Sequence, residues 1–96
     1  MPYIPKQQRR LYDPIIDKLA LRLFGETTND NICGDLNYII FRLAKILLDP
    51  SRGGQRRYAR MNMISGVLAN VDKEIYRRLI APYEDQKIES DGDVGV

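Results

Sequence analysis

Apolar residues recur at helical spacing in three stretches of this 96-residue chain. Ile15, Ile16, Leu19 and Leu23 fall at i, i+1, i+4 and i+8, which gives a first helix one apolar face. Asp13-Pro14 opens it as an N-cap followed by proline at the first helical position, and Gly25 is a natural C-cap. In the second stretch Leu36, Ile39, Ile40, Leu43, Ala44 and Leu47 make a clear stripe. Asp30 or Asn31 can cap its start, and Asp49-Pro50 ends it. The third stretch carries Met61, Ile64, Leu68, Val71, Ile75 and Leu79 at spacings close to a heptad seam. It predicts the longest helix, from about Arg57 to Ala81, stopped by Pro82.

The segments between are read by their breakers. Residues 1–9 form an extended arm, because Pro2 and Pro5 disfavour helix at the residues before them; Lys6 to Tyr12 can add a turn before Pro14. Glu26 to Asn31 is a polar connector. Ser51 to Arg57, with Gly53-Gly54 at its centre, is the strongest loop signal. No segment alternates apolar and polar positions as a half-buried strand does. The expected architecture is mainly α: a single domain over residues 1–96, built as a three-helix bundle with a long third helix. Its helical body spans 10–82, and the extended arm and an acidic C-terminal tail (83–96) are appended. Three such helices bury a modest core, so self-association is expected to add burial. The seam on the third helix has two readings, an intramolecular core face or a symmetric partner's docking face.

Composition then removes chemistry. The chain has no His and one Cys, which excludes an internal disulfide, a Cys/His zinc site and the His-dependent nucleophilic catalysts. No cofactor is implied. The longest apolar runs fall far short of the roughly 18 residues of a membrane span, and Met1-Pro2-Tyr3-Ile4-Pro5-Lys6 lacks the apolar stretch of a signal peptide. No membrane partner is expected. The net charge of +2 hides a division: residues 1–82 hold 14 basic and 8 acidic residues, while residues 83–96 hold five acids and Lys87 alone. The body is therefore +6 and the tail −4.

From Pro50 to Val71 no acid occurs, and Arg52, Arg56, Arg57 and Arg60 crowd around the Gly-Gly loop. Amide ends and guanidinium forks both favour phosphate, so this cluster suits a small anionic ligand. It could also follow a nucleic acid backbone, or be a solvated face that pairs with the acidic tail. Nucleic acid is less favoured, since no aromatic-interleaved motif accompanies the arginines. Asn37 and Tyr38 flank the second stripe. Asn62, Ser65, Gly66 and Asn70 occupy successive turns of the third helix, where Gly66 suggests close approach of another helix or a ligand. Arg77 and Arg78 complement a helix C-terminus or reach a phosphate. Cys33, without a histidine, reads as a small buried residue. Paired carboxylates occur only in the tail, without a rigid frame, so the reading is non-enzymatic.

Met1-Pro2-Tyr3-Ile4, Gly34-Asp35-Leu36-Asn37-Tyr38, Tyr58 with Asn62 and Gly66-Val67-Leu68, Tyr76-Arg77-Arg78, Pro82-Tyr83-Glu84-Asp85-x-Lys87-Ile88 and Gly92-Asp93-Val94 run in collinear order over nearly the whole chain. Together they resemble a family of small uncharacterised tailed-bacteriophage proteins. Members often carry an acid where this chain has Met63. The resemblance implies a viral protein expressed in a bacterial host's cytoplasm, with virion residence as the alternative, and it supplies no activity. Tyr83, Ile88 and Val94 suggest that the tail is an ordered segment. The expected function is binding as a homo-oligomer to a nucleotide-like anion or a host protein, in host takeover or counter-defence. Arg56, Arg57, Arg60, Arg77 and Arg78 would supply phosphate contacts, with Asn37, Tyr38, Asn62 and Tyr83 supplying hydrogen bonds or stacking. A virion structural or assembly component and a nucleic-acid-binding regulator are the alternatives.

Overall fold

A computed structural model describes residues 2–26 and 31–95. Among them the structure is helical and contains no strand. In chain order the helices are α1 (Lys6–Arg9), α2 (Asp13–Glu26), α3 (Ile32–Leu47), α4 (Tyr58–Ile75) and α5 (Ala81–Asp91). A 3-10 turn, Pro50–Arg52, follows α3, and a π turn, Tyr76–Ile80, joins α4 to α5. By internal packing the chain divides into two units, residues 3–62 and residues 63–96 with the first two residues.

In the first unit, the arm makes one helical turn, in which the Gln8 and Arg9 amides donate to the Pro5 carbonyl. The Arg9 guanidinium returns to the Ile4 carbonyl at 2.8 Å. Asp13 lies inside the first turn of α2 rather than before it, where unpaired amides favour a carboxylate. Gly25, expected as a C-cap, is the thirteenth residue of α2 and stays helical, with no positive φ. Asn31 stands at the N-cap of α3 without a side-chain cap bond; the alternative cap, Asp30, lies outside the described residues. Helices α2 and α3 touch, and the more covered apolar side chains of this unit include Leu23, Ile32, Ile39 and Ile46.

The second unit corrects the end of the predicted third helix. Pro82 does not stop it. Proline lacks an N–H and its ring crowds the carbonyl four residues back. A wider turn relieves that crowding, and here Ala81 N–H donates to the Tyr76 carbonyl, five residues back. Helical backbone thereby passes through Pro82 and ends at Gly92, whose φ of 88° closes α5 in a conformation glycine tolerates best. The acidic tail is thus mostly helix, and Lys87 pairs with Asp91 across one turn of it at 3.7 Å.

The largest difference from the expectation concerns burial. No described side chain, apolar or polar, is buried. Cys33, expected inside, is exposed, and a Cβ added at Gly66 would meet nothing within 4 Å. Within each unit the helices carry apolar stripes that the unit's own residues cover only in part.

The loop after α3 is the tightest part of the chain. Gly53 adopts φ 88°, and Gly54 N–H donates to the Asp49 carbonyl at 2.9 Å. A Cβ at Gly54 would overlap the Leu47 carbonyl oxygen and lie 2.8 Å from Asp49 N. Those neighbours are backbone and cannot swing away. Gly54→Ala is therefore expected to destabilise the turn by about 1–3 kcal/mol, the usual cost of overpacking. Circular-dichroism melting checks this; an unchanged midpoint would show that the turn does not need the close approach.

Candidate anion-binding site

The fold-back at Gly54 decides which arginines meet which helix. Tyr38, Phe41, Arg42, Lys45 and Asp49 repeat at three- and four-residue steps, so they share one side of α3 and its end. The 3-10 turn and the Gly-Gly turn bring Arg52 and Arg56 back to that side. Together with Ile46 these residues line a cavity of about 400 Å³, within the range of small-molecule sites. Its rim carries four cations, Arg42, Lys45, Arg52 and Arg56, against one carboxylate, Asp49.

That carboxylate is already engaged. Asp49 Oδ1 accepts the Ser51 amide at 3.0 Å and the Ser51 hydroxyl at 2.9 Å, capping the 3-10 turn. These two hydrogen bonds, the hydroxyl's first, hold the Asp49 carboxyl below its ordinary value, with smaller help from Arg52 and Arg56. The carboxylate stays ionised beside Arg52 and Arg56, so four cations against one anion leave the lining net positive. The two rings supply its apolar walls: Tyr38 is 64% and Phe41 65% exposed. Lys45 Nζ lies 5.9 Å from the Phe41 ring centre, within cation–π range.

Of the residues expected at the site, the structure brings Tyr38 and Arg56 together here. The others lie elsewhere. Arg57 donates through Nε and Nη2 to Gln55 Oε1, at 3.0 and 2.6 Å. Asn37 lies on α3 beside Tyr38 in sequence but does not line the cavity, and Arg60 and Asn62 lie on α4. Arg77 pairs with Glu74 one turn back. Arg78 lines a different, apolar cleft with Pro2, Val71, Ile75 and Leu79. Tyr83 sits on α5, with Lys87 Nζ 6.0 Å from its ring centre. An arginine list drawn from sequence alone joined residues of two separate units.

Phe41, Arg42, Lys45, Ile46 and Asp49 are the lining residues absent from the expected site, whereas Arg52 belongs to the expected arginine cluster without having been assigned a phosphate contact. Their signal was present in the helical spacing from Tyr38 to Asp49. It was obscured because Phe41 reads as one more apolar position and Arg42 and Lys45 as ordinary surface charge. The expectation also placed the anion at the α4 N-terminus, whereas the cavity forms against the side and end of α3. A negative helix end lies nearby, so the four side-chain cations, rather than backbone amides, give this cavity its positive character.

A family model described as domain of unknown function, DUF6899, matches residues 1–94. The chain belongs to this family. No curated protein and no solved structure matches it. Among the described residues of this DUF6899 chain, no helix is long and apolar enough to cross a membrane.

The Asp49–Ser51 cap carries its own pH signature. The folded-state pKa is lowered, so the cap's stabilisation is present above the unfolded value of 3.8 and is lost as pH falls through the lower folded one. The Asp49 carboxyl carbon, followed by NMR, is expected to titrate below 3.8 and to move upward in Ser51→Ala. An unshifted titration in both proteins would remove the cap from the account.

Proposed function

We propose that this protein works by binding, without catalysis, a small anion that carries both phosphate and an aromatic ring: a nucleotide-like molecule seated in the cavity between α3 and the Arg52–Arg56 loop. The observation that carries the reading is the juxtaposition of four cations with two exposed rings around about 400 Å³. Guanidinium forks suit phosphate oxygens, and Tyr38 and Phe41 offer faces for a base, since stacking on an aromatic side chain serves any base. Sequestration needs affinity alone. Within a bacterial host, as the tailed-phage resemblance implies, such a protein would withdraw a nucleotide signal during takeover or counter-defence. The helical stripes left open in each unit would close into a bundle when copies associate.

ATP, a linear adenine dinucleotide, adenosine and inorganic pyrophosphate separate the contributions. Calorimetric titration at low salt is expected to rank the nucleotides above pyrophosphate and adenosine, because only they engage cations and rings together. Arg52→Ala and Arg42→Ala should each weaken nucleotide binding about tenfold, the scale of one charge-assisted hydrogen bond. Tyr38→Ala should weaken it by a similar factor through lost stacking. If no probe binds, or binding ignores Arg42, Arg52 and Tyr38 alike, the reading is wrong. Tighter binding of an oligonucleotide with a steep salt slope would favour the nucleic-acid alternative instead.

A further inference from the structure

The second unit carries an apolar face that its own residues leave open. Ile64, Leu68, Val71, Ile75, Leu79 and Tyr83 advance along α4, the π turn and α5 by steps of 4, 3, 4, 4 and 4. A step of four overshoots the 3.6-residue turn of an α-helix, so two such steps in succession would carry the stripe sideways. Those steps, from Ile75 through Leu79 to Tyr83, cross the wider π turn at Tyr76–Ile80, which takes up the excess. The π turn that accommodates Pro82 therefore also keeps the stripe on one face. Yet Val71 remains 39% exposed and Leu79 67%. A cleft of about 270 Å³ lies on this face, lined by Pro2, Val71, Glu74, Ile75, Arg78 and Leu79.

We infer that this face is the docking surface for the same helix of a second copy, running antiparallel, so that two chains form a two-fold symmetric pair. Two observations select that occupant. The near-heptad spacing suits a helix of the same kind, and an isologous contact requires a self-complementary stripe. Antiparallel pairing centred near Val71 supplies it by setting Ile64 against the partner's Leu79 and Leu68 against the partner's Ile75. The second observation is charge. Helix α4 begins beside Arg56, Arg57 and Arg60, and α5 carries Glu84, Asp85, Glu89 and Asp91. The antiparallel arrangement brings Arg60 near Glu84 of the partner subunit, twice per pair, and opposes the helix dipoles. A parallel arrangement would instead stack basic on basic and acidic on acidic.

None of the residues of this stripe lines the ligand cavity, so the two proposals fail independently. Sedimentation velocity of the full-length protein across a hundredfold concentration range is expected to show a dimer or a multiple of it, with a melting midpoint that rises with concentration. In a Cys33→Ser background, Ile64→Cys and Leu79→Cys proteins mixed under mild oxidation should give chiefly the mixed disulfide. Arg60→Glu and Glu84→Arg should each weaken association about two- to fivefold, the range of an exposed ion pair, and the two combined in one chain should restore it. A monomer at every concentration with a sharp, concentration-independent melt overturns the inference, because each chain then covers its own stripes. Disulfides chiefly between like positions overturn it too, as parallel pairing would give.

Discussion

Everything in this structure depends on covering apolar helix faces. A short helix in water is marginal by itself and draws its stability chiefly from packing an amphipathic face. Each long helix here has such a face, and the chain as described buries none of its large side chains. Helices α2 and α3 touch within one unit, but their stripes remain only partly covered. The physical demand left by this arrangement is for surface to be removed from water, and it falls on the helices of both units.

Against that open scaffold, the loop between α3 and α4 is locally over-determined. A left-handed glycine, a second glycine without room for a Cβ, and a carboxylate capping the 3-10 turn act within six residues. Each restricts the chain where it leaves α3. The result is that Arg52 and Arg56 are directed to the same side as Arg42 and Lys45. Asp49 is held by Ser51 and serves the turn, while the excess of cations over this one carboxylate keeps the lining positive. Shape and charge at the cavity thus come from one small device.

Pro82 illustrates how the same residue reads differently in sequence and in structure. As a pattern element it is a terminator, because proline removes a hydrogen bond and crowds the preceding turn. A five-residue π turn offers another solution that keeps the backbone helical. That choice converts an acidic tail into α5 and extends the apolar stripe to Tyr83. The physical reason it was illegible is that a single proline fixes only its local strain. Whether strain is relieved by termination or by a wider turn depends on what the following residues gain from staying helical.

Sequence periodicity by itself determined that the chain is helical, the near-boundaries of α2, α3 and the start of α4, and the sharp Gly-Gly loop, because these follow from spacing and local backbone preference. Composition likewise settled the absence of histidine chemistry and the separation of basic body from acidic end. The sequence did not determine which arginines share a site. Arg56, Arg57 and Arg60 are neighbours in the chain, but only Arg56 faces the cavity, since Arg57 is bound to Gln55. Arg42 and Lys45 join it from ten or more residues away. That selection belongs to the tertiary structure, because convergence of side chains depends on where the backbone turns back. Here the turn is made by the missing side chain of Gly54.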